Sequence, residues 1–256
     1  MEESIVRTRK EKGSDAKKAG VDSVKPVIIR PKATLKALLV IVGFLLIANL
    51  IAIFLAQAVE KNFLTWRFIR YFDFNGENNI PAFFSSIILL IASAILFIAY
   101  RTESARNLIS KGRYWLILSF IFVFLAVDEN VAIHEEVTKV VRPLLGNDLS
   151  GFLHWAWVVP YFIAFLAVAA YFMRFVLNLP SFTRNLIFLS GFLFVFGAVG
   201  LELIEGYVYQ RYGLNHIYNL FLYCVEELLE MVGVVIFIYA LLDYLSTYHP
   251  QVSIQK

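Results

Sequence analysis

Nine carboxylate side chains of this sequence lie inside stretches that are otherwise apolar enough to cross a lipid bilayer. They are Asp128, Glu129, Glu135, Glu136, Glu202, Glu205, Glu226, Glu227 and Glu230. An acid at the bilayer centre costs roughly 2.5–3.5 kcal/mol on insertion scales, so nine acids facing lipid would cost about 25 kcal/mol. Folded proteins are stable by only about 5–15 kcal/mol. The acids must therefore face one another, water, protons or bound cations.

The composition is typical of a membrane protein that crosses the bilayer several times. Of the 256 residues, 59% are hydrophobic and 16% are aromatic. Soluble domains are usually about 45–50% apolar. The one cysteine, Cys224, excludes an intramolecular disulfide and is expected to be a packing thiol.

Six apolar stretches are long enough to span the hydrocarbon core, which is about 30 Å thick. They lie near residues 36–58, 81–100, 114–140, 153–177, 184–209 and 215–242. The sequence therefore predicts an all-α fold, a polytopic membrane helix bundle with six transmembrane helices. Its predicted parts are a flexible basic tail over 1–34, a transmembrane domain over 35–248 and a short tail over 249–256.

The positions of lysine and arginine predict the orientation of the bundle. With the N-terminus inside, 17 of the 23 basic residues fall in cytoplasmic segments and 6 fall outside. This asymmetry favours a cytoplasmic location for both termini and for the tails that carry them. The run NFLTWRFIRYFDF, after the first span, is predicted to lie along the headgroup plane.

Helix geometry places the acids of three spans in one slab of the membrane. At a rise of 1.5 Å per residue, the slab reaches from the midplane to about 14 Å outward. In a regular third helix, Asp128 and Glu135 stack, whereas His134 points about 100–120° away from them. We expect Asp128, Glu129 and Glu135 to face the interior, with His134 reaching in from the flank. Glu136 is expected at the aqueous boundary.

Carboxylates with an imidazole, projected from facing helices, are a donor set typical of divalent Fe, Mn or Zn. The predicted metal ligands are Asp128, Glu129, His134, Glu135, Glu202, Glu205, Glu226, Glu227 and Glu230. The predicted catalytic residues are Glu129, His134 and Glu227, with a free carboxylate as general base and His134 as a further ligand or proton shuttle. The leading hypothesis is a metal-dependent membrane hydrolase or oxidoreductase that acts on a lipid or other apolar substrate.

Two other functions stay open at this point. The same acids could serve a proton- or cation-coupled transporter, in which neighbouring carboxyls share protons. The chain could also be an assembly subunit of a membrane complex. Membrane lipids are the expected partners and nucleic acid is not, while the sequence makes no prediction about oligomeric state.

Several residues near the acids have simpler interpretations. His154 is expected in the interfacial belt, and His216 is expected as a helix-cap or loop residue, rather than in the site. Gly191, Gly197, Gly200 and Gly206 of the fifth span are expected to permit close approach between helices.

The runs LAVDENVAIHEE, GAVGLELIEGY and EELLEMVGVVIFIYALL resemble a family of bacterial six-helix inner-membrane proteins. Members of that family carry an Asp-Glu-x4-His-Glu segment and a later Glu-Glu-x-x-Glu-Met segment. The resemblance covers roughly residues 110–245 and implies a multi-pass protein of the bacterial cytoplasmic (inner) membrane. It implies no activity.

Two families of membrane-embedded peptidases share only fragments of their motifs with this sequence. The segment from Glu135 to Lys139 fits the Glu-Glu-x-x-Lys pattern of PrsW-like peptidases, but the downstream His-x-x-x-Asp is missing. Glu226 and Glu227 lack the following arginine of CAAX-type peptidases.

Overall fold

The computed structural model describes residues 30–58, 62–106, 108–146 and 149–248. Within these ranges the chain is almost entirely helical and contains no strand. Six helical spans are long and apolar enough to cross a membrane. The predicted fold class, an all-α polytopic bundle, is thereby confirmed. The predicted tails lie outside the described residues over 1–29 and 249–256.

The first half of the bundle has three long helices and two short ones. In chain order they are α1 (Pro31–Ala58), α2 (Phe63–Phe72), α3 (Ile80–Ala105), α4 (Ile109–Val131) and α5 (Ile133–Leu145). Asparagines define where two of them begin. Asn62 caps α2 by accepting hydrogen bonds from two backbone N–H groups, and Asn79 caps α3 ahead of Pro81.

The second half has three long spans, one of which is interrupted by a π-helical turn. After a short 3-10 turn, Gly151–Leu153, the elements are α6 (Val158–Leu177), α7 (Ser181–Val195), the π turn (Phe196–Leu201), α8 (Glu202–Tyr212) and α9 (Ile217–Tyr248). α7, the π turn and α8 form one continuous span of 32 residues.

The predicted third span does not run as one regular helix from 114 to 140. α4 ends at Val131, and Ala132 adopts the left-handed conformation, with φ 51° and ψ 47°. α5 then begins in a new direction at Ile133. The prediction of a continuous helix was wrong because a hydropathy pattern does not indicate that one residue adopts a left-handed backbone conformation.

The apolar core lies beside the acids along α9. Glu230 is the last acid of the α9 cluster, and most residues from the next one, Met231, to Leu245 are buried. Beyond it, Phe237 stacks on Phe122 of α4 at 4.8 Å between ring centroids, and Trp115 is fully buried. This packed half holds the helices in register, so that the acidic half can enclose a cavity.

One end of the bundle carries the short helices. Because consecutive spans alternate in direction, α2, α5 and the α8–α9 connection share this end, where the Gln57 amide donates a hydrogen bond to the Asn215 carbonyl at 3.3 Å. α2 and α5 expose apolar side chains there; Leu64 is 75% exposed and Leu144 is 79% exposed. Such exposure is expected of helices that lie along a headgroup plane.

Candidate metal centre

A cavity of about 980 Å³ opens inside the end of the bundle that carries α2 and α5. α4, α6, the π turn and α9 form its walls, and the α2–α3 loop contributes to its mouth. Eight carboxyl groups line it: Glu77, Asp128, Glu129, Glu135, Glu202, Glu226, Glu227 and Glu230. Acids from separate helices therefore meet in one hollow.

Asp128 and His134 form a contact across the break at Ala132. The backbone N–H of His134 donates a hydrogen bond to Asp128 Oδ1 at 2.9 Å, and His134 Nδ1 lies 3.3 Å from the same oxygen. In a regular helix His134 would point away from Asp128, but the left-handed residue turns the chain back on itself and brings His134 into the cavity. Burial acts to lower the pKa of His134, but the hydrogen bond and negative charge of Asp128 outweigh it, so the pKa is raised.

Glu77 joins this pair from the α2–α3 loop, and sequence reasoning missed it. Glu77, His134 and Glu135 each offer a ligand atom within 4.8 Å of the others. Burial is the main cause that raises the pKa of Glu77, and the positive charge of His134 opposes it. Glu135 lines the cavity as expected, but its side chain is exposed at the mouth rather than buried in the interior.

The α2–α3 loop that carries Glu77 is fixed by asparagines. The Asn49 side chain of α1 accepts a hydrogen bond from the Phe74 backbone N–H at 3.0 Å. The Asn79 side chain donates to the Asp73 carbonyl at 2.6 Å and accepts from the Ala82 backbone N–H at 3.0 Å. Burial raises the pKa of Asp73 in the same loop. Glu77 is thus held at the mouth by hydrogen bonds between asparagine side chains and the backbone, which the hydropathy pattern does not reveal.

A second group of acids lies deeper, where α8 meets α9. Glu202, Glu205 and Glu226 offer ligand atoms within 4.8 Å of one another. The Glu226 carboxyl lies within hydrogen-bonding reach of both Glu202 and Glu205. The indole N–H of Trp157 donates to Glu202 Oε1 at 3.1 Å. Trp157 thereby fixes one member of the group from the start of α6.

Glu205 is the most enclosed acid of this group. Its side chain is 0% exposed, and in the described part of the chain no N–H or hydroxyl donor reaches either of its carboxyl oxygens. Its near neighbour, Glu226, is itself an acid. Two buried carboxylates that touch need a proton or a cation between them, because like charges at this distance cannot both remain uncompensated.

The remaining acids, Glu129, Glu227 and Glu230, connect the two groups. Glu227 and Glu230 of α9 both interact electrostatically with Glu129 of α4. Among the described residues, the ion pairs are Lys139–Glu136 and His134–Asp128. No lysine or arginine of that part of the chain therefore neutralises the three connecting acids or the deeper group.

Gly197, in the π turn, lets α9 approach the acids closely. A Cβ atom at this position would lie 3.0 Å from the Glu226 carbonyl oxygen and 3.1 Å from Glu230 Cγ. The predicted close approach is confirmed at Gly197 and also at Gly206, which packs on the backbone of Gly151. It was wrong for Gly191, which has no neighbouring atom within 4 Å of a built Cβ.

The residues expected outside the site do lie outside the cavity wall. His154 contacts the Gln210 amide at 3.1 Å, and burial together with the charge of Arg142 lowers the pKa of His154. His216 stacks on Tyr212 at 4.8 Å between ring centroids. Glu136 is exposed and pairs with Lys139 at 2.5 Å.

Comparison with known families assigns most of the chain to one family. A family model described as a domain of unknown function (DUF8692) matches residues 35–245. The chain belongs to the DUF8692 family. No curated protein and no solved structure matches it.

The site of this DUF8692 protein contains nearly all of the residues predicted as ligands. His134 and seven of the predicted acids line the cavity, and Glu205 lies directly behind the wall against Glu226. Glu77 is the addition that the structure makes.

Proposed function

We propose that this DUF8692 protein is a metal-dependent, membrane-embedded enzyme, a hydrolase or oxidoreductase that acts on a lipid or other apolar substrate. One observation supports the proposal above the rest: Glu205 is fully buried against Glu226 and Glu202 without a donor partner among the described residues. A divalent cation shared by these three carboxylates would compensate charges that the bilayer cannot.

The donor atoms suit iron, manganese or zinc. Glu202, Glu205 and Glu226 provide carboxylate oxygens only, whereas the group at the mouth adds the imidazole of His134 to Glu77 and Glu135. Oxygen donors with an imidazole in a helix bundle are typical of these metals. Glu202 also interacts electrostatically with His134 and Glu135, so the two groups belong to one charge network.

The chain's own residues supply the proton chemistry of the proposed reaction. A bound divalent cation lowers the pKa of a water ligand or polarises a substrate oxygen. Glu129 and Glu227 interact electrostatically between the two groups, and we propose them as the general bases that would accept a proton. Asp128 orients the His134 ring, as a carboxylate does for a ligating or proton-shuttling histidine.

The distribution of polar groups favours an enzyme over the transporter alternative. A transport route needs polar groups along the whole membrane depth, whereas the acids line only one half of this bundle. In the other half, Trp115, Ile238 and Leu241 belong to the apolar core. Glu103 is buried in that half, but it accepts a hydrogen bond from the Tyr244 hydroxyl at 2.7 Å and does not line the cavity. This arrangement supports a closed reaction chamber, with access from one face or from the lipid.

Elemental analysis of the purified full-length protein tests the proposal. We expect Fe, Mn or Zn in a fixed ratio to protein, because the buried acids require a compensating charge. Glu205→Gln and Glu226→Gln each remove a carboxylate from the deeper group and are expected to lower metal content at least tenfold. Glu136→Gln is the matched control, since Glu136 is exposed and pairs with Lys139; it is expected to retain the metal.

Two results would contradict the proposal. The first is wild-type protein that stays metal-free after incubation with each of the three metals. The second is metal content that is the same in the Glu205→Gln, Glu226→Gln and Glu136→Gln variants. Metal-free protein that shows pH-dependent cation flux in liposomes would favour the transporter instead.

A further inference from the structure

The part of the cavity beyond the acids has an apolar wall. Phe120 and Phe124 of α4 form one side, and Ala164, Phe165 and Val168 of α6 form the other. At about 980 Å³, the cavity is at the upper end of the roughly 300–1,000 Å³ range of small-molecule sites. The cavity is therefore amphipathic: acids cluster at one end, and aromatic and aliphatic side chains line the rest.

The stretch of α4 and α6 that lines this apolar part lies between two places where the helices meet, and we call this stretch the gap. The two helices meet at one end of the gap, where Tyr114 stacks on Phe175 at 4.7 Å, and at the other end, where Asp128 adjoins Tyr161. Tyr114 and Asp128 are 14 residues apart, which corresponds to about 21 Å of helix.

Two side chains of α4 along this gap line the cavity and are also exposed. Phe120 is 66% exposed and Phe124 is 47% exposed, as expected of side chains at the edge of an opening. Because α4 is a membrane span, an opening beside these side chains would face acyl chains. A chain-like molecule can therefore pass between lipid and cavity without crossing water.

The charge of the cavity selects the head of such a molecule. Eight acids line it, against His134 and Lys139, and Lys139 is already paired with the Glu136 carboxylate. Two divalent cations would balance four of the eight carboxylates, and the other four would share protons. An anionic head would find no unpaired cationic side chain among these lining residues, and any carboxylate that is ionised would repel it.

We infer that the cavity takes up, through the gap between α4 and α6, a long-chain amphiphile with an uncharged or cationic head. The chain lies against the Phe120, Phe124 and Phe165 wall, and the head meets the acids. The conversion of this amphiphile rests on the proposed function, whereas its binding in the cavity does not. It narrows the substrate class to long-chain alcohols, amines and related neutral lipids, and excludes fatty acids and phosphate esters.

Photo-crosslinking of the full chain in lipid nanodiscs tests the inference. Three probes with the same diazirine-bearing chain are compared: an alcohol, an amine and a carboxylate. We expect the alcohol and the amine to label the peptides that contain Phe120, Phe124 and Phe165, and the carboxylate to label them at least fivefold less.

Variants on one face of α6 provide the matched controls. Ala164→Trp fills the cavity and is expected to reduce labelling at least fivefold; Val168→Phe is a milder version of the same block. Ala167→Trp adds the same bulk to an exposed residue of the same helix that does not line the cavity, and labelling is expected to persist. A thermal unfolding temperature in detergent close to that of the wild type shows that the variants have folded.

The outcomes separate this inference from the proposed function. Equal or stronger labelling by the carboxylate, or labelling that neither blocking variant reduces, would overturn the inference. Metal-loaded protein without cavity labelling overturns the inference alone. Selective labelling of a protein that binds no metal supports the amphiphile site and overturns the proposed function.

Discussion

Ala132 determines how α4 turns into α5. A left-handed backbone conformation costs a residue with a Cβ atom about 1–2 kcal/mol. The Asp128 carboxylate offsets that cost, because it accepts the hydrogen bond of the His134 N–H, an orphan donor at the start of α5. The strained residue, Ala132, therefore lies between two candidate ligands and determines the distance between Asp128 and His134.

Replacing Ala132 changes stability in a direction that follows from its φ of 51°. We expect Ala132→Gly to raise the free energy of unfolding by about 0.5–1 kcal/mol, because glycine adopts this conformation without a clash but loses more chain entropy. Ala132→Val is expected to lower it, because a β-branched side chain fits this conformation worst. Thermal unfolding in detergent measures both; a destabilised Ala132→Gly variant would show that φ is not the determinant.

Some residues of the candidate site could be predicted from the sequence and others could not. The acids of the long spans could be placed together, because apolar surroundings force an acid such as Glu226 inward. The position of His134 could not be predicted, because Ala132 resembles any helical alanine. Glu77 escaped notice because it lies in a loop, where an acid is the usual residue and no periodicity indicates its direction.

At the level of elements, the π turn brings the fifth span against α9. Its extra residue per turn shifts the faces of α7 and α8 relative to each other, so that Gly197 meets α9 while Glu202 and Glu205 still face Glu226. Hydropathy located all six spans, but it does not record such a turn, because every residue of Phe196–Leu201 is apolar or glycine.

Two glycines of this span provide a matched pair of substitutions. Gly197→Ala places a methyl group 3.0 Å from the Glu226 carbonyl and is expected to lower the free energy of unfolding by about 1–3 kcal/mol. Gly191→Ala adds the same methyl group where no atom lies within 4 Å, and the better helix propensity of alanine is expected to raise stability by up to about 1 kcal/mol.

Thermal unfolding of both variants in the same detergent measures the difference. Similar unfolding temperatures for the two variants would mean that the π turn and α9 can separate without cost. Metal content provides a second reading, because displacement of the π turn also moves Glu202 away from Glu226.

For the whole molecule, the basic residues predict the side on which the cavity opens. The mouth lies at the end of the bundle that carries α2 and α5, opposite the start of α1. With 17 of the 23 basic residues assigned to the inner segments, that mouth is expected to face away from the cytoplasm.

Reporter fusions check this orientation. Alkaline phosphatase, which is active only outside the cytoplasm, is expected to be active when fused after Leu214, between α8 and α9. It is expected to be inactive after Asn178, between α6 and α7, and a fluorescent protein fused to the C-terminus is expected to fold. The opposite pattern of activity would place the mouth in the cytoplasm.

The lateral gap between α4 and α6 has a consequence for kinetics. For a substrate that enters from the bilayer, the effective concentration is the amount per unit area of membrane rather than per litre of solution. Adding inert lipid lowers this surface concentration while the total amounts of substrate and protein stay constant. Turnover is therefore expected to slow, which is the behaviour called surface dilution.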